Sequence, residues 1–170
     1  MNQASPALAA LAADPLQYLT FMLGSDTFAI GILSIKEIIE YETLTTIPMA
    51  PPAIRGVINL RGAVVPVMDM QVRFGRASSP TTKRTCIVIV ETGTDGDGEP
   101  QVLGVLVDSV NEVIEIPPAD IQPPPSFGTG LRSDFIQGVG KVRGGFVLLL
   151  AVDRALSTEV LQALSDVASV

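Results

Sequence analysis

Carboxylates beside apolar strands are the residues of this 170-residue sequence best suited to acid–base chemistry. Three stand out, Asp69, Asp108 and Glu112, each next to a run of apolar residues. Two carboxylates can act as general acid and general base when both line one pocket. No nucleophile or oxyanion motif accompanies them, so a place at an exposed strand end is the plainer interpretation. A small acidic β-barrel hydrolase that uses Asp69 and Asp108 remains a remote alternative.

Other common catalytic and metal-binding groups are missing from the sequence. There is no His, which excludes imidazole as a base or metal ligand and with it the Ser-His-Asp triad. The single Cys86 permits no internal disulfide and lies in an apolar run, which predicts an inert buried thiol. Asp95, Asp97 and Glu99 lack the Gly and the closing Glu of a calcium loop. We therefore expect no catalytic residue, no cofactor and no bound metal.

The negative net charge excludes some classes of binding partner. The 11 basic and 18 acidic residues leave a formal net charge of -7, so there is no broad basic field to attract nucleic acid or anionic lipid. No apolar stretch reaches the roughly 18 residues of a membrane span, and the N-terminus lacks the positive charge of a signal peptide. These features predict a cytoplasmic protein that binds no nucleic acid and does not insert directly into a membrane.

Two charged residues have neighbours that suit contact with a protein partner. Glu37 lies among isoleucines that include Ile35 and Ile38, and it could sit on the rim of an apolar groove that receives a helix. Arg61 lies beside Gly62 in a tight turn, where a guanidinium is well placed for two-point contact with a partner carboxylate. The surplus of aliphatic over aromatic residues also suggests protein partners. For both charged residues, a solvated surface position is the plain alternative.

Most of the elements that must position these residues are predicted to be strands. Alternating apolar residues from Leu16 predict a hairpin that ends near Ile30. Residues 32–39 fit one helical turn or a bent strand equally well. Prolines between residues 47 and 52 exclude regular structure, and residues 56–68 then predict two strands around the turn of Arg61 and Gly62. Further strands are predicted at residues 85–90, 101–107, 110–116, 135–142 and 145–152.

The spacing of these strands indicates the fold class. Short strands about ten residues apart, with Gly and Pro turns between them, favour small barrels over an α/β sheet. The predicted fold is therefore all-β, with one helix at the C-terminus. Residues 1–14 are expected to form a mobile N-terminal tail. Residues 156–170 place apolar side chains on one helical face, which predicts an amphipathic helix.

One stretch of the sequence resembles the signature of a known family. Residues 54–69, Ile-Arg-Gly-Val-Ile-Asn-Leu-Arg-Gly-Ala-Val-Val-Pro-Val-Met-Asp, are similar to the signature of the CheW family, the coupling proteins of bacterial chemotaxis arrays. The resemblance covers about residues 16–152. It continues through residues 18–21, 28–30, 35–38, 103–108, 121–125 and 135–140.

The resemblance implies a specific version of the all-β fold. Two small five-stranded SH3-like barrels would pack on a shared core. Residues 15–155 would form this CheW-like domain. Its two barrel subdomains would span roughly 25–80 and 84–150, with strand exchange at their ends as an option.

The function implied by the resemblance is that of a non-enzymatic adaptor. Proteins of this family bind the regulatory domain of the histidine kinase CheA and the cytoplasmic hairpin tips of chemoreceptors, the methyl-accepting chemotaxis proteins. They transmit receptor state to kinase activity. The implied state is a monomer on its own, assembled into arrays at the inner face of the membrane through receptor complexes. An adaptor of a non-flagellar pathway, such as a type IV pilus or developmental pathway, stays open as an alternative.

The resemblance also implies which residues contact the partners. Val110 and Val113 are expected to face the groove between the barrels, and Gly56 and Gly104 to allow close backbone approach there. The full set of implied receptor- and kinase-binding residues is Ile35, Glu37, Ile38, Gly56, Arg61, Gly62, Gly104, Val110 and Val113.

Overall fold

The computed structural model describes residues 16–92, 101–124 and 135–155. The predicted tail at 1–14, the predicted helix at 156–170 and the carboxylates at 95, 97 and 99 lie outside these ranges. Helices α1 (Met70–Arg73) and α2 (Val152–Ala155) are one turn long. The strands are β1 (Leu16–Leu23), β2 (Asp26–Gly31), β3 (Ile35–Glu40), β4 (Ile54–Leu60), β5 (Ala63–Asp69), β6 (Cys86–Thr92), β7 (Gln101–Val107), β8 (Ser109–Ile116), β9 (Ile121–Gln122), β10 (Ile136–Val142) and β11 (Gly145–Leu150).

The strands form two sheets with the same pattern of pairing. A five-stranded sheet has the order β3-β6-β7-β5-β4, and a six-stranded sheet has the order β8-β1-β2-β11-β10-β9. In each sheet the third and fourth strands are parallel, and the other neighbouring strands are antiparallel. The prediction of an all-β fold is confirmed.

One bent segment of chain closes each sheet into a barrel. In the first barrel, β3 pairs with β6, and a few residues later Thr45 exchanges hydrogen bonds of 2.9 and 2.8 Å with Val57 of β4. The two edges of the sheet are therefore joined. In the second barrel, β8 pairs with β1, and β9 pairs with β10 in the same way. With β8 and β9 counted as one bent strand, each barrel has five strands, as the family resemblance implied.

Glycines make room where each barrel closes. Gly56 has a φ of +155°, and a Cβ atom there would lie 2.5 Å from the carbonyl oxygen of Thr45. Gly138 holds the equivalent place in the second barrel, where a Cβ atom would lie 2.9 Å from the carbonyl oxygen of Gln122. Because the neighbour is backbone in both cases and cannot move aside, only glycine allows the closing segment to approach.

Three apolar clusters fill the part of the chain that the structure describes, one inside each barrel and a larger one shared between them. Strand β6 shows how they are separated, because Ile87 and Ile89 face the first barrel while Val88 and Val90 face the shared core. Strands buried on both faces read as continuous apolar runs, which explains the sequence of this segment. The shared core includes Leu19, Phe21, Phe28, Ile30, Val88, Val90, Leu103 and Val105. The second barrel encloses Tyr18, Ala29, Ile116, Val147 and Leu149.

The two barrels exchange strands, which the resemblance left open as an option, and they therefore do not follow the continuous spans 25–80 and 84–150. One barrel consists of β3 to β7, within residues 35–107. The other takes β1 and β2 from the start of the described chain and β8 to β11 from its later part. The polar segment between β5 and β6 has the composition of a linker. Because β6 pairs with β3 and β7, this segment lies within one barrel instead of between the two.

A buried carboxylate anchors the segment that follows α1. Asp69 ends β5 and is only 2% exposed. Its Oδ1 accepts hydrogen bonds from the backbone N–H groups of Gln71 and Val72, at 3.0 and 3.3 Å, and so caps α1. Its Oδ2 accepts from Arg55 Nη1 at 3.0 Å and from the hydroxyl of Ser78 at 2.6 Å. All these partners stabilise the end of β5.

The same segment also reaches the six-stranded sheet. Arg76 Nη2 donates to Asp26 Oδ2 of β2 at 2.8 Å. The hydroxyl of Ser79 donates at 3.1 Å to Asp108 Oδ2, which also accepts from the N–H of Gly24 at 2.6 Å. Residues 76–79 therefore connect the β1–β2 hairpin with the end of β5, and they hold Asp108 where the chain passes from one barrel to the other.

The anchoring role of Asp69 predicts a large loss of stability when it is removed. Asp69→Ala deletes the cap of α1 and leaves the Arg55 guanidinium without its buried carboxylate. We expect a loss of about 2–4 kcal/mol in the free energy of unfolding, measured by urea titration. The exposed Glu42 is a matched control, and Glu42→Ala should change stability by less than about 0.5 kcal/mol. Equal effects of the two substitutions would contradict the anchoring role.

Candidate functional site

The two charged residues singled out in the sequence are in contact with each other. Arg61 Nη1 donates to Glu37 Oε2 at 2.7 Å, and Arg61 Nη2 donates to Glu37 Oε1 at 3.0 Å. A guanidinium and a carboxylate joined by two parallel hydrogen bonds are fixed in orientation as well as in distance. The two-point contact that the sequence suggested for a partner carboxylate is therefore made within this chain, by Glu37.

Local backbone geometry brings this pair together. Residues 32–34 form a 3-10 turn and β3 follows directly, so each of the two alternatives for residues 32–39 is correct for part of the segment. The β4–β5 hairpin turns at Arg61 and Gly62, whose φ angles of 52° and 87° are both positive, as a two-residue type I′ turn requires. Asn59 Oδ1 accepts from the N–H of Gly62 at 2.9 Å and supports the turn. Closure of the barrel then places the turn beside β3.

The ion pair lies at the surface and shifts both pKa values. The side chains of Arg61 and Glu37 are 73% and 27% exposed. The hydrogen bond from Arg61 lowers the pKa of the Glu37 carboxyl below its usual 4.5, and the same contact raises the pKa of Arg61. Surface pairs add little to folding stability, so the pair acts mainly by fixing the position of both side chains.

The lowered pKa of Glu37 predicts how the pair responds to pH. Because the folded pKa lies below the unfolded value, the interaction is fully present above the unfolded pKa near 4.5 and is lost as the pH falls through the folded pKa. Arg61→Gln should raise the pKa of Glu37 toward 4.5, as measured by ¹³C NMR titration of the carboxyl. Arg76→Gln, which changes an arginine bonded to Asp26, should leave it unchanged. An unaltered Glu37 titration in Arg61→Gln would disprove the pairing in solution.

Exposed aliphatic side chains lie on β3, which carries Glu37, and on β5, which follows the turn of Arg61. Ile38 on β3 and Val64 on β5 are large apolar side chains exposed to solvent, and Ile35 is half-buried against the shared core. We call Ile35, Glu37, Ile38, Arg61, Gly62 and Val64 the edge surface. It combines a fixed ion pair with aliphatic side chains, and five of its six residues are those implied by the family resemblance.

Val110 and Val113 lie on β8, the edge strand of the other sheet. Val110 is half-buried and packs against the shared core, whereas Val113 is 53% exposed. Val110 pairs with Phe21 and Val113 pairs with Leu19, and both of these β1 residues belong to the shared core. Both valines therefore lie on the face of the sheet that covers the core between the barrels.

The implied glycines occupy different environments. Gly62 is exposed, and a Cβ atom there would meet nothing within 4 Å, so its importance lies in its positive φ. Gly56 is buried at the backbone approach of Thr45 described above. Gly104 is also buried, but a Cβ atom there would meet the side chains of Ile87 and Val67, at 2.7 and 3.1 Å. Gly104 therefore accommodates side chains inside the first barrel, not a neighbouring backbone as the resemblance implied.

A second arginine turn, predicted from the sequence at Arg143 and Gly144, makes a contact with β8 that the sequence did not indicate. Arg143 and Gly144 turn the β10–β11 hairpin with positive φ angles of 46° and 79°, and Arg143 Nη1 lies 3.7 Å from Glu112 Oε1 on β8. This contact is wider than the pair at Arg61, and an open groove of about 410 Å³ lies beside it. The similarity of the two turns is visible in the sequence, because residues 56–62 and 138–144 share the pattern Gly-Val-x-x-x-Arg-Gly.

The carboxylates considered for hydrolysis have structural partners. Asp69 is buried and takes four hydrogen bonds, and Asp108 binds the hydroxyl of Ser79 and the N–H of Gly24. These contacts give Asp69 no access to the solvent that a general acid or base needs. Burial, with a contribution from Glu40, raises the pKa of the half-buried Cys86 thiol and keeps it protonated. Among the described residues, no helix is both long and apolar enough to cross a membrane.

The structure defines a class of protein, a two-barrel β module with its distinctive polar and aliphatic residues on the two edge strands. Comparison with known families then assigns the chain to one of them. The sequence model of the CheW-like domain family matches residues 17–160. The chain therefore belongs to the CheW family.

Named relatives and a solved structure agree with this assignment. The chain is 30% identical to the chemotaxis protein CheW of Klebsiella aerogenes over 89% of its own length and 88% of the relative. It is 31% identical to the chemotaxis protein CheW of Rhizobium meliloti, covering 86% and 91% of the two chains. The crystal structure of the scaffolding protein TtCheW from Thermoanaerobacter tengcongensis is 31% identical, with a TM-score of 0.75 over 84% of this chain and 88% of that one.

Proposed function

We propose that this protein is a non-enzymatic adaptor that couples chemoreceptors, the methyl-accepting chemotaxis proteins, to the histidine kinase CheA. Membership of the CheW family supports this, as do relatives named as chemotaxis proteins and a similar structure titled as a scaffolding protein. The adaptor acts in the cytoplasm, at the inner face of the membrane, where receptor complexes hold it. Its partners are the regulatory domain of CheA and the cytoplasmic hairpin tips of the receptors.

The edge surface is the observation that carries this proposal. Its ion pair is held by two hydrogen bonds of 2.7 and 3.0 Å, and exposed Ile38 and Val64 lie on the adjoining elements. A partner helix that meets this surface can bury the aliphatic side chains while its polar groups contact a guanidinium that is already oriented. Little side-chain entropy is then lost on binding, because Arg61 and Glu37 are ordered beforehand.

The two barrels allow two partners to bind at once. The edge surface of the first barrel and the residues Val110 and Val113 on β8 of the second are together assigned to the receptor, which leaves other faces of the barrels for the kinase. Simultaneous binding of receptor and kinase turns the second contact into an intramolecular one, so each contact can be weak while the assembly is stable. A change in the receptor tip then alters the conformational balance of the kinase through the shared complex.

Charge reversal at Arg61 tests the edge surface. Arg61→Glu places a second carboxylate beside Glu37 and removes the oriented guanidinium. We expect receptor-tip affinity, measured by isothermal titration calorimetry, to fall by about tenfold or more, since charged hydrogen bonds contribute roughly 1.5–3 kcal/mol each. Receptor-dependent activation of CheA in reconstituted membranes should fall with it.

Arg84→Glu is the matched control, because it makes the same charge change at an exposed arginine that lies outside both the edge surface and β8. It should keep receptor-tip affinity within about twofold. Circular dichroism melting curves must show that both variants fold. Equal affinity of Arg61→Glu and the unsubstituted protein for the receptor tip would refute the assignment of the edge surface. The same assay with receptors and kinases from each chemosensory pathway of the cell identifies the pathway served.

A further inference from the structure

Thr20 is a buried polar residue whose hydroxyl binds the backbone of a neighbouring strand. It lies on β1 and is 4% exposed. Its Oγ1 donates to the carbonyl oxygen of Glu112 at 2.8 Å and accepts from the N–H of Glu112 at 3.2 Å. A hydroxyl can do both because it carries one donor and two acceptor lone pairs. A single side chain therefore satisfies both backbone groups of one residue on β8.

This contact lies at an irregularity in the pairing of β1 with β8. Leu19 pairs with Val113, and Phe21 pairs with Val110. Thr20 is the one residue between them on β1, whereas two residues, Asn111 and Glu112, lie between them on β8. Two residues opposite one is a β-bulge, which leaves the extra residue without its regular partner in the ladder. The hydroxyl of Thr20 supplies the missing partner.

The bulge decides which side chains β8 turns toward the shared core. Val110 and Val113 are three residues apart, and regular alternation would place them on opposite faces. With the extra residue they lie opposite Phe21 and Leu19, which share one face. Without the bulge, continued pairing from Val110 would bring Glu112 opposite Leu19 and turn Val113 to the other face.

We propose that Thr20 is a positioning residue for partner binding: its hydroxyl holds the β8 bulge that presents Val113, instead of Glu112, beside Val110. The inference rests on the proposed function, because it concerns the part of the receptor-binding surface that β8 contributes. Thr20 touches no partner itself. Its effect on binding passes through the backbone of Glu112.

Paired substitutions separate the hydroxyl from the rest of the side chain. Thr20→Val keeps the shape and removes the hydroxyl, whereas Thr20→Ser keeps the hydroxyl. We expect Thr20→Val to weaken receptor-tip binding about tenfold, the effect of losing two hydrogen bonds of ordinary strength, and Thr20→Ser to stay within about twofold. Thr27→Val, at a threonine on β2 whose hydroxyl contacts Met22 Sδ, is the matched control and should bind normally.

Amide hydrogen exchange gives a readout that does not depend on any partner. In the unsubstituted protein the N–H of Glu112 should be protected by Thr20. Its exchange rate should rise about tenfold in Thr20→Val and change little in Thr20→Ser or Thr27→Val. A Glu112 amide equally protected in Thr20→Val would overturn the proposed role of the hydroxyl.

Deletion of Asn111 tests the bulge itself. The shortened β8 can pair regularly with Val113 still opposite Leu19, so Val113 no longer depends on the hydroxyl. Thr20→Val should then cause no further loss of receptor-tip affinity in the deletion variant. The proposal is overturned if Thr20→Val still lowers receptor-tip affinity tenfold in the deletion variant. It is also overturned if the single Thr20→Val variant binds the receptor tip normally. If the unsubstituted protein fails to bind the receptor tip, the proposed function fails and this inference falls with it.

Discussion

The packing of two barrels on one shared apolar core is the constraint on which the rest of the structure depends. Strands β1 and β2 of one sheet and β6 and β7 of the other contribute side chains to it, including Phe21, Phe28, Val88 and Leu103. These strands are central in their sheets and are buried on both faces. Strands β3, β4, β8 and β9 are left at the sheet edges. The residues that we propose to meet other molecules lie on β3, on β8 and at the hairpin that joins β4 to β5.

The two outer edges of each sheet are joined in the same way in both barrels. A bent segment closes each sheet, a glycine allows the close approach, and an arginine in a type I′ turn reaches a glutamate on the edge strand. The two arginine–glutamate contacts differ in length. Arg61 makes two short hydrogen bonds to Glu37, whereas Arg143 lies 3.7 Å from Glu112. The first barrel therefore presents a fixed ion pair, and in the second a groove of about 410 Å³ lies beside the looser contact.

Local signals in the sequence predicted the hairpins well, because they depend on neighbouring residues. The turn at Arg61 and Gly62 and the strands around it followed from alternation and from a glycine suited to positive φ. Pro66 lies on β5, which is inside its sheet, although a proline in such a strand usually removes a ladder hydrogen bond. The pairing of β5 with β7 begins only at Val67, so the missing N–H of Pro66 costs no ladder bond there.

Contacts between distant segments were harder to predict. The sequence indicated Glu37 and Arg61 separately, but their contact depends on barrel closure, which brings together residues 24 positions apart. Thr20 reads as an ordinary strand residue, and its partner Glu112 is 92 positions away. The family resemblance left strand exchange between the barrels open, but alternation could not identify β1 and β2 as the exchanged strands, because it shows that a strand exists and not which strand it pairs with.

The central claim is that one molecule holds a receptor and a kinase at the same time. Sedimentation velocity of the protein with the CheA regulatory domain and a receptor-tip fragment, alone and together, tests it most directly. We expect a ternary complex that sediments faster than either binary one, with both partners present in a single boundary. Binding of one partner that displaces the other, or of neither, would show that the protein does not couple the two.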